Sequence, residues 1–180
     1  MSETLSRDEI DCRVAEIERS SIVLWGDDTG FGLTLPHGCD ITGSLDEIDG
    51  VVGTSLYTFD VDHNLTRRGI GERLLKCFFA YSHNRHAEYV TSSIISPTAL
   101  RMRRKLFGEA TLHFMEIVDG VETELPISVD QACMSIDRAN DLQTKSDKEG
   151  VYADIDIGFE VIVSLNEVNQ DVIQWELPIS

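Results

Sequence analysis

Two glycines one residue apart, Gly69 and Gly71, stand between an extended segment ending near Asp62 and an amphipathic segment beginning near Gly71. Arg67, Arg68 and Arg73 surround them. A strand that enters a helix through glycines leaves main-chain N–H groups exposed, because the first four amides of a helix have no internal acceptor. The helix dipole adds partial positive charge at the same place. Glycine there lets an anion approach without a Cβ in the way. Such a turn can cradle a phosphate. It is not the dinucleotide pattern G-x-G-x-x-G, since Leu74 takes the place of the third glycine, and it is not a P-loop, since no G-K-S/T follows.

Proton-handling groups lie beside the turn. Asp60, Asp62 and His63 end the extended segment. A carboxylate or an imidazole can act as a base there, and each also reads as a solvated strand-end residue. His83 and His86 fall near the end of the amphipathic segment, where an imidazolium suits the helix dipole, so a structural role is expected. No Ser-His-Asp or Cys-His arrangement follows from the spacing. Cys12, Cys39, Cys77 and Cys133 are far apart, without a C-x-x-C pair. They read as reduced, largely buried thiols, with a disulfide or a metal site as the alternative. Trp25 and Trp175 are expected to pack in the core or at an edge.

The elements that must position these groups are legible from periodicity. Ser6-Arg7-Asp8-Glu9 has the form of a capping box, and Ile10, Val14 and Ile17 follow at helical spacing, which predicts a helix from Arg7 to Arg19. Ser21 to Trp25 and Phe31 to Leu35 read as strands around a turn at Gly26 to Gly30, and Pro36 to Gly50 as a loop. In Val51 to Asp62, Tyr57, Phe59 and Val61 alternate with Thr58, Asp60 and Asp62, the period of a strand. Gly71 to His86 reads as a helix with Leu74, Leu75, Phe78 and Phe79 on one stripe. Strand Tyr89 to Ile95, helix Thr98 to Leu106 and strand Thr111 to Val118 follow. Ser128-Val129-Asp130-Gln131 starts a further helix running toward Asn140, Asp141 to Gly150 reads as an exposed loop, and Val151 to Leu165 with Val172 to Ile179 as a hairpin. The alternation from Val51 to Val118 argues for an α/β sheet with at least one parallel pair.

Composition bounds the function. At 180 residues the chain suffices for one domain with a buried core. No apolar run approaches the roughly 20 residues that span a bilayer, and the polar, acidic start does not read as a signal peptide, so a cytoplasmic location is expected. The net charge of −17 argues against binding nucleic acid or an anionic membrane and suits a cationic substrate; general solubility explains it equally. The charge is uneven. From Thr66 to Lys105 nine basic residues face only Glu72 and Glu88, a net +7, while six basic and 30 acidic residues leave the rest of the chain at −24. A basic island in an acidic chain points to a local anion site.

The segment Phe59 to Leu75, with Thr66-Arg67-Arg68-Gly69-Ile70-Gly71 at its centre, resembles the central motif of the GNAT superfamily of N-acetyltransferases: a strand, then Q/R-x-x-G-x-G/A, then a helix opening with a Leu-Leu pair. A second segment, Ser96-Pro97-Thr98-Ala99 through Phe107-Gly108, is similar to the family's N-P-x-A-x-x-x-Y-x-x-x-G-F at the appropriate distance. The resemblance covers residues 51–118. It implies an α/β (α+β) fold, a mixed sheet with a splayed parallel strand pair flanked by helices. Residues 1–180 would then form one domain with a short N-terminal half, a core at 51–118 and a divergent extension at 119–180.

Carried over by position, the resemblance implies that the backbone at Val61 bonds a pantetheine arm. The amides of Arg67, Arg68, Gly69, Ile70, Gly71 and Glu72 would meet the pyrophosphate, Ser96 the pantetheine, and Arg103 and Arg104 the adenosine 3′-phosphate. Departures are plain. Thr66 replaces the usual Gln or Arg, Arg103 stands where the family often has its acidic Tyr, and Phe107-Gly108 inverts Gly-Phe. Asp60 is then expected as the base, and Ser96 or Tyr89 as a substitute acid. The expected activity is transfer of acetyl from acetyl-CoA, the cosubstrate, to an amine acceptor, a cationic small molecule or peptide, without a metal. The chain would act alone or as a homodimer, with neither nucleic acid nor membrane as partner. The alternatives are a GNAT-fold protein that binds CoA without turnover and an acidic interaction protein.

Overall fold

A computed structural model describes residues 4–92, 96–150, 157–173 and 176–180. The class is mixed α/β, as expected. The chain divides into two compact units, Met1–Val90 with Asn169–Ser180, and Thr91–Val168. The dividing line falls inside the segment 51–118.

In the first unit, helix α1 (Arg7–Arg19) starts on the foreseen capping box: the Ser6 hydroxyl accepts from the Glu9 amide, and the Glu9 carboxylate accepts from the Ser6 amide at 2.9 Å. Strands β1 (Val23–Asp27), β2 (Gly30–Leu35), β3 (Cys39–Ile48) and β4 (Val51–Asp60) follow as an antiparallel meander. Helix α2 (Ile70–Asn84) leads to β5 (Tyr89–Ser92), whose chain begins beside the start of β4 through a 2.8 Å bond from the Glu88 amide to the Val52 carbonyl. Entry from the same end, through a helix, is the geometry of a β-α-β unit.

The stripe foreseen on α2 is the reason the helix docks. Leu74, Leu75, Phe78 and Phe79 are fully buried, together with Phe31, Leu33 and Ile41 of the sheet. Each such side chain contributes about 1.5–3 kcal/mol on leaving water. The Phe31 and Phe78 rings stack at 5.3 Å. Phe78 lies so close to Gly43 that a Cβ there would sit 2.8 Å from its ring and 2.3 Å from the Ser55 carbonyl oxygen, so only glycine fits. Arg73 fixes the start of α2 from the side. Its guanidinium donates to the Ile17 and Ser20 carbonyls at 2.8 and 2.7 Å and takes both oxygens of Glu176. The Glu176 hydrogen bonds, chiefly, push the Arg73 pKa upward.

In the second unit, helix α3 (Pro97–Phe107), strands β6 (Leu112–Val118) and β7 (Val121–Leu125), helix α4 (Val129–Glu149) and strand β8 (Glu160–Ser164) follow one another. The strand order is β1-β2-β3-β4-β5 in the first unit and β5-β8-β6-β7 in the second, the chain passing from one to the other within β5. Strand β6 pairs antiparallel with both β7 and β8. His113 of β6 is clasped by two carboxylates, Glu124 of β7 at 2.7 Å and Glu167 beyond β8 at 2.8 Å. Those hydrogen bonds, Glu167's first, raise its pKa. The helix α5 (Gln170–Ile173) returns the chain to the first unit.

Four expectations need correction. Pro36–Gly50 is not a loop but contains β3, a ten-residue strand hydrogen-bonded on both sides. Asp141–Gly150 is not a loop either, since α4 runs on to Glu149 and ends on left-handed Gly150. Strand β7 was not anticipated. The expected C-terminal hairpin is absent among the described residues: β8 pairs with β6, and Gln170–Ile173 is helical. Residues 151–156, Trp175 and the last part of the expected strand Tyr89 to Ile95 lie outside the described residues. Trp25 packs at the edge as expected, half-exposed and flat against Gly32.

Replacing Arg73 by Met should lower stability by about 2 kcal/mol, since charged hydrogen bonds are lost and the two carbonyls are left to water; urea denaturation measures it. For His113 the folded pKa lies above its ordinary 6.5. Its contribution is therefore complete below the unfolded value and fades as pH rises through the folded one. Urea midpoints of the wild type and His113→Gln should differ most near pH 5 and converge at alkaline pH.

Candidate functional site

Beyond β4 the chain is steered by Asp62. Its carboxylate accepts from the Asn64 amide at 2.8 Å and caps a short 3-10 turn, His63–Leu65. The Asn64 hydrogen bonds hold the carboxyl below its ordinary range, aided by His63 and Arg13. Leu65 plugs the turn into the core, fully buried. Asp62 is thereby a structural cap.

The next residues take an unusual path. Arg67 has φ 63° and Gly69 φ 79°, with Arg68 between them on the ordinary side. A non-glycine residue held left-handed costs on the order of 1 kcal/mol or more. Backbone of alternating hand curls successive N–H groups toward one point and makes an anion-binding hollow. Helices α1, α3 and α4 each start on a serine whose hydroxyl takes a helix amide, whereas α2 starts on Gly69 with no side-chain cap. Among the described residues nothing accepts from the amides of Arg67, Arg68, Gly69, Ile70 or Gly71; the first internal bond is Arg73 N–H to the Gly69 carbonyl, 3.0 Å. A Cβ at Gly69 would meet nothing within 4 Å, so this residue borders open space.

The surrounding arginines divide. Arg67 is exposed and, among the described residues, carries no ion pair. Arg68 is exposed and lies 3.3 Å from Asp11. Arg73 turns away to Glu176, so it lends the turn no mobile charge. Glu72 pairs with Lys76 at 3.0 Å.

Asp60 lies at the end of β4, exposed, with Asp40 of β3 directly opposite. Burial, and then the Asp60 charge, push the Asp40 pKa up. The two aspartates share a sheet face with Thr42 and Thr58, whose hydroxyls meet at 2.6 Å. Here the simple alternation expected for β4 fails. Thr42 pairs with Thr58 but Gly43 pairs with Leu56, so Tyr57 is an extra residue, a β-bulge. The bulge brings Tyr57 onto the face of Thr58 rather than that of Phe59. Its hydroxyl lies 2.6 Å from the buried Ser44 hydroxyl, which donates to Asp46 Oδ2 at 3.1 Å. No alternation rule reveals this trio; the off-register Asp40–Asp60 and Ser44–Ser55 pairings do.

In the second unit, Ser96 caps α3, its hydroxyl accepting from the Ala99 amide at 3.1 Å. Arg104 pairs with Asp130 at 2.9 Å. Arg103 is not on the helix surface. Its guanidinium is buried, donates through Nη2 to Ser92 Oγ at 3.1 Å, and has no partner at Nη1 among the described residues. Burial pushes its pKa down to about 10. The expected site residues thus fall into two groups. Val61 to Glu72 share one turn of the first unit, close in sequence to Asp60, and Ser96, Arg103 and Arg104 share one helix of the second. Cys39, Cys77 and Cys133 are buried free thiols, and burial drives Cys77 to about 12; Cys12 is exposed. Among the described residues no group of three His, Cys, Asp or Glu side chains could hold a metal, and no helix is long and apolar enough to cross a membrane.

No protein-family model matches the chain, and no curated protein matches it. Among solved structures it is similar to the ribosomal-protein-S18-alanine N-acetyltransferase from Escherichia coli, at 18% identity, with 67% of this chain and 86% of that one covered and a TM-score of 0.35. At those values the likeness carries no argument about activity.

A buried guanidinium with one nitrogen left without a partner is costly, and an apolar residue of similar length removes the cost. Arg103→Met should leave stability unchanged or raise it by about 1–4 kcal/mol, measured by chemical denaturation; a loss of stability would show that the guanidinium is held by more than Ser92.

Proposed function

We propose that this chain is an acyl-CoA-dependent N-acyltransferase that moves acetyl from acetyl-CoA to an amine. One observation carries the reading: five successive amides, Arg67 to Gly71, have no hydrogen-bond acceptor among the described residues, on a turn with left-handed Arg67 and Gly69 whose residues 67–69 are exposed. A diphosphate is an anion of the right extent for such a row, because each oxygen can take more than one N–H. Arg67 and Arg68 would add side-chain charge. The sequence motif around the turn, with the second motif at Ser96 to Gly108, selects the CoA diphosphate over other anions.

In this reading Val61 guides the pantetheine arm away from the turn, and the exposed carboxylates of the β3–β4 face favour a cationic acceptor. Asp60, paired across the strands with Asp40, is one candidate for the base. A second reading, CoA binding without turnover, is favoured by a specific observation. Arg103, at the position of the family's Tyr, is a guanidinium inside the protein and offers no acid for the departing thiolate. Both readings place the protein with soluble ligands and without a metal, and both are compatible with a homodimer.

Acetyl-CoA at about 100 times its Kd should stabilise the chain by about 2.7 kcal/mol, seen as a rise in Tm. Gly69→Val should abolish the rise, because a β-branched residue is strained at φ 79° and its side chain would project into the hollow. Thiol release with a panel of amines then separates the readings: turnover supports the transferase, and binding alone supports the silent protein. No Tm rise in the wild type overturns both.

A further inference from the structure

The β-bulge of β4 does more than bend the strand. Thr58 bonds Thr42, and Tyr57 bonds Ser44, so two consecutive residues of β4 reach the same face of the sheet. Only an inserted residue allows that, since successive side chains otherwise alternate. The phenol so placed is 58% exposed, while the Ser44 side chain beneath it belongs to a residue only 2% exposed.

Hydrogen-bond direction follows from counting protons. A carboxylate accepts only, so the single hydroxyl proton of Ser44 goes to Asp46 Oδ2. Ser44 Oγ must then accept from Tyr57, whose own proton points inward. Ser55 also donates to Asp46 Oδ2, at 3.4 Å, and steadies that oxygen. The outward side of the Tyr57 oxygen is left with lone pairs toward solvent. The result is a directed wire, Tyr57 O–H to Ser44 O–H to Asp46 carboxylate, whose open end accepts.

We infer that Tyr57, Ser44 and Asp46 form a proton relay that deprotonates the acceptor ammonium at this face, with Tyr57 as the catalytic residue and Ser44 and Asp46 as its positioning residues. The inference rests on the transferase reading above. The ammonium gives an N–H proton to Tyr57 Oη as the phenol proton passes to Ser44 Oγ and the serine proton to Asp46 Oδ2. Ammonium and carboxylate become amine and carboxylic acid, and exposed Asp46 returns the proton to water. The amine nitrogen then bonds the thioester carbonyl carbon, the C–S bond breaks, and one further proton passes from the attacking nitrogen to sulfur, the amide keeping the other.

The test measures kcat and KM for acetyl-CoA-dependent thiol release from pH 6 to 10, beside the acetyl-CoA Tm shift, for the wild type, Tyr57→Phe, Ser44→Ala, Ser44→Thr and Asp46→Asn. The relay predicts that Tyr57→Phe, Ser44→Ala and Asp46→Asn lose on the order of 10²-fold in kcat near neutrality with the Tm shift intact. Ser44→Thr, which keeps a hydroxyl, should recover most of the loss. The deficit should shrink at alkaline pH, where free amine enters already neutral. Turnover unchanged in Tyr57→Phe, or a deficit equal at every pH, overturns the relay and leaves the transferase standing. A wild type with no Tm shift overturns the transferase reading and the relay with it, and a shift without thiol release overturns the relay and leaves CoA binding.

Discussion

A helix must hand its first amides to something. In α1, α3 and α4 the acceptor is a serine hydroxyl, and the debt is settled within one turn of chain. In α2 it is left open, and the chain before it takes two left-handed steps, at Arg67 and Gly69. A left-handed arginine is unfavourable on its own, so the surroundings must impose it. They do so from both ends. Asp62 and buried Leu65 fix the entrance, and the Phe78–Gly43 contact with the Arg73–Glu176 pair fixes the helix. The rigidity of this frame is what gives an uncapped helix start a defined shape.

The sheet carries a second consequence of local geometry. One inserted residue in β4 turns a tyrosine onto a polar face that already holds Asp40, Thr42, Ser44 and Asp46. The helix-facing side of the same strands is apolar and packed. The fold thus separates its tasks: one face binds α2 and stabilises the unit, and the opposite face keeps carboxylates and hydroxyls in contact with solvent.

Much of this was legible before any coordinates. The capping boxes at Ser6 and Ser128 mark helix starts because their side chains can reach only local amides. The Leu74–Phe79 stripe identifies α2, and Gly69 with Gly71 marks the turn before it. What escaped was set by contacts distant in sequence. Strand β3 is rich in Asp, Gly and Ser, and pairing on both sides, not propensity, makes it a strand. Yet a signal existed. Asp49-Gly50 and Asp119-Gly120 both adopt positive φ in two-residue hairpins, the strongest short-range hairpin cue, and each announces a strand that composition hid. The bulge at Tyr57 has no such cue, because a single inserted residue leaves the pattern of apolar side chains almost intact. Burial of Arg103 was equally hidden, since its sequence neighbours Arg101, Arg104 and Lys105 suggest a charged surface.

The central claim is that the main chain of one turn grips a diphosphate, and amide NMR tests it at the atoms concerned. In a titration of the ¹⁵N-labelled protein with CoA, the resonances of Arg67 to Gly71 should move together and saturate, ahead of those elsewhere on α2. Pantetheine, which lacks the diphosphate, should leave them where they are. Saturable binding of CoA with these five amides unmoved would contradict the account.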